Sequence, residues 1–400
     1  MRTFQALSLP GYRWFMVSIL TSGLSFQGQQ VVRGWLAYEL TESPLAVGIA
    51  VASWGLPMLL FSLPGGVAAD RMSRRGIMIS MQAVSALGAV VIGLLVATGH
   101  IAFWHLIVSG VVAGTAIGLH MPSRQSFIFE LAGPEHIANA VALNSGAMNS
   151  MRLIAPALAG VLISTIGVDW MYYLIALGFG VSILVVVLRT QEPPARPATT
   201  SSPAQDITNG FKYVWNNRLV FWLLVMALAT LFLGLPFRNL MPAFAVEALK
   251  QGPAGYGMLM SAVGLGAIVG SLSIASLGSS GRKGLLLLMA AAGWGVGLIV
   301  FSLSTSLTMA IPLLLLLGLT STGFMTLNNI LIQTSVSNEF RGRVLSFFML
   351  TFAMNSVGTV PVGAVAEFMG VGRALMWSGV AVLAVAILIG LSRRDLRRLR

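Results

Sequence analysis

A chain of 400 residues, 56% hydrophobic and only 9% charged, with a mean hydropathy of +0.86, cannot cover a water-soluble surface; soluble domains carry about 25% charge. Its net charge of +12 is spread between apolar runs, which reads as membrane topology and excludes a nucleic-acid interface. The absence of cysteine excludes a disulfide framework, a thiolate metal site and cysteine catalysis.

Apolar runs bounded by charges, glycines and prolines predict an all-α membrane protein of twelve spans. They fall at 13–37, 44–64, 77–97, 101–121, 138–164, 168–188, 218–244, 254–277, 284–303, 307–332, 344–366 and 370–391. Each is near the roughly 20 residues that a bilayer crossing needs. The first run follows Arg2 and Arg13, is too long for a signal-peptide core and has no cleavage site after it. An even number of spans places both termini on one side. Setting that side in the cytoplasm gathers Arg71, Arg74, Arg75, Arg189, Lys212 and Arg218 inside with the tail arginines, and leaves only Lys250 and Arg373 in outside loops.

The organisation expected is an N-terminal six-helix bundle at 1–189, a linker at 190–217, a C-terminal six-helix bundle at 218–392 and a basic cytoplasmic tail at 393–400. The linker opens with a stretch rich in proline, serine and threonine. From Asp206 to Asn217 it becomes amphipathic, with Ile207, Phe211, Val214 and Trp215 on one side, as an interfacial helix would be.

Polar residues within spans cost free energy and mark candidate contacts for a solute. On the first span Gln27, Gln30 and Arg33 recur at i, i+3 and i+6, mostly on one helix face; that face is expected to look into a cavity between the halves. On the fifth, Asn144, Met148 and Arg152 recur at i, i+4 and i+8, with Asn149 alongside. The seventh carries Arg238 and Asn239 between Pro236 and Pro242, where a bend is expected. Asn328, Asn329 and Asn355 add hydrogen-bonding groups, and Phe237, Phe324 and Trp54 add apolar walls. The plainer alternatives are that Arg33 and Arg238 snorkel to the headgroups and that the amides join helices.

Three arginines and no well-buried acid stand in the spans. Such a positive interior favours an anionic or electron-rich polar small molecule over a cation. There is no His-Glu-x-x-His, Gly-x-Ser-x-Gly or paired acid in a span, so an enzyme is not expected, and no metal site. No Gly-x-x-x-x-Gly-Lys-Ser/Thr stretch exists, so the expected energy source is an ion gradient and not a bound cofactor, with protons as the candidate ion. His105 and His120 are the candidate titratable groups, although a histidine at a helix end more often serves as a structural hydrogen-bonding group.

The two halves echo one another. Arg13 and Arg218, Arg33 and Arg238, and Pro156 and Pro361 are each 205 residues apart, and Ser73-Arg74-Arg75-Gly76 is echoed by Gly281-Arg282-Lys283-Gly284. Parallel repeats of this kind build several transporter folds. Between the second and third spans lies a short charged turn, Gly66-x-x-x-Asp70-Arg71-x-x-Arg74-Arg75, read by composition alone as a tight connector or a basic loop that sets orientation.

That turn resembles the loop between helices two and three of the major facilitator superfamily. In that family the loop is a cytoplasmic latch, which the resemblance assigns here to Gly66, Asp70, Arg71, Arg74 and Arg75. Met121-Pro122-Ser123-Arg124-Gln125 with Asn139 to Asn144, Gln333-Thr334 with Arg341-Gly342-Arg343-Val344, and Leu40-Thr41-Glu42-Ser43-Pro44 resemble the enterobactin-exporter-like, transmembrane secretion effector branch. Ala155-Pro156-Ala157-Leu158-Ala159-Gly160 is similar to a reduced antiporter motif, implying a hinge at Pro156 and Gly160; simple close packing is the alternative.

The resemblance implies a secondary active exporter of a siderophore, macrolide or other secondary metabolite. It would work by alternating access, as a monomer in a bacterial inner membrane, with the lipid bilayer and the solute as its partners. An importer, or a receptor or scaffold that moves nothing, is the alternative. If the solute is anionic, Arg152→Gln at normal surface expression will sharply reduce transport; unchanged transport will count against an anionic solute.

Overall fold

A computed structural model describes residues 2–190, 203–276, 282–337, 340–397 and 399. Among them there is no strand. After a 3-10 turn at Arg2–Ser8 come α1 (Pro10–Thr41), α2 (Pro44–Arg71), α3 (Arg74–Ala97), α4 (Phe103–Ile166) and α5 (Val168–Arg189). Then follow α6 (Pro203–Asn216), α7 (Arg218–Gly234), α8 (Pro236–Asn239), α9 (Met241–Glu247) and α10 (Pro253–Ser276). The chain closes with α11 (Lys283–Ser302), α12 (Leu307–Ser335), α13 (Arg341–Met369), α14 (Val371–Ser392) and α15 (Arg394–Arg397). The proline-rich residues 191–202 lie outside the described residues, as does Gly281 of the echoed turn.

Nine helical segments among the described residues are long and apolar enough to cross a membrane. One of them, α4, is 64 residues long and contains a break at Gly133, whose φ of 65° only glycine adopts easily. It therefore holds both the fourth and the fifth expected spans. The glutamine- and arginine-bearing α1, at 32 residues, and α13, at 29, are long enough to span but are not among the nine.

Two expectations are corrected here. Residues 122–137 were expected to be a connector because Arg124, Glu130 and Glu135 cluster there, yet the helix runs through Pro122 and up to Gly133. Proline is tolerated inside a long apolar helix when neighbouring helices replace the lost bond. The seventh span, expected at 218–244, is helical only to Gly234 and is then broken into α8 and α9 around Pro236 and Pro242, which is the expected bend in sharper form.

The chain forms two compact units: Met1–Glu42 with Ala50–Ala198, and Ser43–Ile49 with Thr199–Arg400. In the first, α1 packs on α4 and α5, and α3 packs on the same two helices. Its core gathers Tyr12, Phe15, Ile19, Met78, Phe127 and Val186. The Tyr12 hydroxyl donates to the Ala140 carbonyl at 2.7 Å, and Phe15 meets Phe127 edge-on at 5.1 Å.

The second unit repeats the pattern: α7 packs on α13 and α14, and α11 packs on α12 and α14. Its amphipathic α6 buries Val214 and stacks Tyr213 on Phe340 at 4.5 Å, while Phe211 and Trp215 stay exposed.

Small residues set how near the helices come. A side chain on Gly114 of α4 would collide with the Trp54 carbonyl of α2, whereas one on Gly88 of α3 meets nothing. The close approach at the charged turn is likewise made by Gly65, against the Gly118 backbone; Gly66 touches nothing that a β-carbon would disturb. Gly114→Ala is therefore expected to destabilise the purified protein by about 1–3 kcal/mol, and Gly88→Ala to leave thermal stability unchanged or slightly raised. Equal melting temperatures for the two variants would contradict this packing.

Candidate functional site

In the first unit the polar face of α1 is inside the fold. Gln29 and Arg33 are buried, while Gln27 and Gln30 are half-buried. Arg33 is only 2% exposed, which removes the snorkelling alternative, because snorkelling keeps the charged head in water. Its charge interacts electrostatically with Tyr172 of α5, the helix packed on α1. The Arg33 Nε and Nη1, the Tyr172 hydroxyl, the Gln30 Nε2 and the Trp54 Nε1 are all buried without a hydrogen-bond partner. Trp54 of α2 packs on Phe26, one helical turn before Gln30, with ring centroids 5.5 Å apart.

The chemistry of this set is one-sided. Four of its orphaned atoms are nitrogen donors and the fifth is a phenol oxygen, which can donate or accept, so unpaired donors predominate. Among the described residues no carboxylate pairs with Arg33. An acceptor-rich or anionic group would satisfy donors that otherwise carry the full cost of burial.

On the last leg of α4, Asn144 is buried with an unpartnered Oδ1, and Met148 packs against Gly23 of α1. Met148 also accepts from Arg124 Nη1 at 3.6 Å. Asn149 and Arg152 are exposed. Pro156 and Gly160 are buried within unbroken helix.

In the second unit Asn239 Nδ2 donates to Thr359 Oγ1 at 2.8 Å and to Asn355 Oδ1 at 3.4 Å. Arg238 donates to Ser321 Oγ at 3.2 Å and lies over the Phe237 ring at 5.8 Å. Asn328 donates to the Leu223 carbonyl at 3.1 Å, and Asn329 accepts from Gln333 at 3.0 Å. Asn239 and Asn328 tie helices together, the role buried amides often take in membrane bundles, whereas the Asn329 bond stays within α12.

The charged turn knits the first unit together. Arg74 pairs with Glu130 of α4 and donates from Nε to the Ala69 carbonyl at 2.9 Å. Arg75 donates to the Val186 and Val187 carbonyls near the end of α5, at 3.3 and 2.5 Å, where a cation complements the helix dipole. Arg71 is exposed, and the Asp70 side chain lies outside what is described.

Sequence reasoning did not find Tyr172, Gln82 or the buried role of Arg124. Nothing in the spacing of α1 says which residue of α5 will stand opposite Arg33, and Arg124 sits among charges that looked like a loop.

A family model described as transmembrane secretion effector matches residues 1–397. Relatives include the enterobactin exporters EntS of Shigella flexneri and of Citrobacter koseri. Each is 26% identical over 362 residues, which is 90% of this chain and 86% of theirs. Solved structures of the same fold include a POT family transporter in complex with a thioalcohol-conjugated peptide, with a TM-score of 0.77 at 13% identity over 98% of this chain and 99% of that one. The nucleoside transporter NupG gives 0.78 at 11% over 95% and 98%. A bacterial homologue of the lysosomal transporter Spinster, inward-facing and occupied, gives 0.74 at 16% over 97% of both chains.

The Arg74–Glu130 pair offers a direct stability test, because both side chains are largely buried. Glu130→Gln removes the counter-charge but leaves Arg74 its other partners, so it is expected to cost about 1.5–3 kcal/mol, and Arg74→Gln combined with Glu130→Gln to cost less than the two single changes summed. Strict additivity in thermal unfolding would show that the pair does not couple α3 to α4.

Proposed function

This chain belongs to the transmembrane secretion effector family and is a transporter of the major facilitator type, and from that premise we propose that it exports an anionic or acceptor-rich small molecule by alternating access. The observation that carries the substrate class is the excess of unpaired donors on Arg33, Gln30 and Trp54, with no carboxylate among the described residues paired to the buried Arg33 guanidinium. Polar groups of one kind left unsatisfied inside a membrane helix bundle favour the ligand that completes them. A catecholate siderophore, a carboxylate or a ring-oxygen-rich metabolite would do so; a cation would not.

The outward direction draws support from the exporters named among the relatives, at 26% identity. Chemistry by the protein itself has no part in the proposal. The energy source is an ion gradient, with protons the candidate ion and exchange the candidate mode. The chain works as a monomer in the bacterial inner membrane with both termini cytoplasmic. The Asp70 to Arg75 turn serves as the conformational latch.

Inside-out vesicles with an imposed proton gradient test direction, charge preference and latch together. Gradient-driven accumulation of a catecholate siderophore, absent for a cationic dye and lost in Asp70→Asn, is the expected outcome. Accumulation of the dye alone overturns the anion preference, and uptake only in right-side-out vesicles turns the protein into an importer.

A further inference from the structure

Ten residues before Arg33 on α1, Gly23 lies against Met148, and behind Met148 is a second buried guanidinium. Arg124 is 7% exposed. Its Nη1 reaches only the Met148 thioether, a weak acceptor, and its Nε reaches nothing. Glu130, the acid nearest to it along α4, is taken by Arg74. No carboxylate among the described residues neutralises Arg124. An uncompensated charge in such a place is costly enough to need a reason.

The surroundings supply one. His120, one turn before Arg124 on α4, shares a 3.2 Å hydrogen bond between its Nε2 and Gln82 Nε2 of α3. Asn144 stands one turn before Met148. Gln82, His120 and Asn144 are each more than nine-tenths buried, and each keeps an orphaned atom: Oε1, Nδ1 and Oδ1. The two amides can exchange oxygen for nitrogen by a half-turn, since that choice follows from the hydrogen-bond network. With Gln82 turned, its oxygen accepts from the His120 Nε2–H and its N–H groups are free. With Asn144 turned, it too offers N–H. His120 Nδ1 is then an acceptor, and the N–H groups on offer are those of Arg124 and of the two turned amides.

We propose that Arg124, with Gln82, Asn144 and Met148 around it and His120 holding Gln82 in place, forms an anion site for a single carboxylate group in the first unit, separate from the donor set at Arg33. Ten residues of helix between Gly23 and Arg33 put about 15 Å between the two sites along α1. The proposal concerns binding alone and stands whether or not the chain exports anything.

The test uses the purified full-length protein in detergent at fixed ionic strength. Thermal unfolding is followed against propionate, with propionamide as the uncharged isostere and inorganic phosphate as the competing anion. Propionate is expected to raise the melting temperature saturably and propionamide to leave it unchanged. Arg124→Gln should weaken the half-effective concentration about tenfold or more, the worth of a charge-assisted hydrogen bond. In an Arg33→Gln background, where the Arg33 set cannot take up the probe, Met148→Glu, which sets a carboxylate against Nη1, should raise stability without ligand and abolish the propionate response. Arg33→Gln should keep that response.

The site is overturned if Met148→Glu combined with Arg33→Gln retains the propionate response, if propionamide or phosphate alone stabilises, or if Arg33→Gln by itself removes the response. Should Arg124→Gln fail to fold, the double variant decides the matter. Because no flux is read, a failure here leaves the export reading untouched, and loss of export leaves this site untouched.

Discussion

A guanidinium withdrawn from water keeps its charge and must find acceptors, and two that the structure describes in the first unit fall short of them. Arg33 and Arg124 are both buried, and both leave nitrogen donors unpaired. The helices around them are built to tolerate this. Close backbone contacts, such as Gly114 against Trp54 and Gly65 against Gly118, let α2 and α4 pack by van der Waals contact without polar help. Glu130, the acid nearest to Arg124 along α4, is held at the charged turn by Arg74. Charge is thus satisfied where the turn knits α3 to α4 and left open where a solute would be held.

The second unit shows the contrast. Its helices pack in the same order, and each of its candidate polar residues finds at least one hydrogen-bond partner. Asn239 binds Thr359 and Asn355, Asn328 binds the Leu223 carbonyl, and Arg238 binds Ser321. Arg238 is the 205-residue mate of Arg33, but it sits just past the break at Gly234, in the short α8. Both halves carry interhelical ties and unsatisfied donors, such as the Tyr12 to Ala140 bond in the first and the buried Trp294 Nε1 in the second. The 205-residue mates Arg33 and Arg238 differ in that Arg238 has Ser321 to donate to.

Much of the fold was legible because a bilayer leaves only a small choice of structures: long apolar runs must be helices. The charged turn, the amphipathic α6 and the break near Pro236 could be read from local chemistry. Residues 122–137 could not, because three charges and Pro122 look like a loop until neighbouring helices are there to support a continuous one; only Gly133 ends it. The polar stripe of α1 was legible from its spacing, but its partner was not. Tyr172 meets Arg33 through the packing of α1 on α5, and no residue spacing within one helix encodes that register. Arg124 was hidden for a related reason: an arginine near a span end looks like a topology signal, and only its burial separates the two roles.

The central claim is that an unpaired buried charge in the first unit selects the solute. Counterflow in proteoliposomes clamped at zero membrane potential tests it most directly, using 2,3-dihydroxybenzoate and 2,3-dihydroxybenzamide, which match in shape and differ in charge. The account predicts protein-dependent exchange of the acid, none of the amide, and loss of acid exchange in Arg33→Gln. Equal exchange of both compounds, or acid exchange indifferent to Arg33, would contradict it.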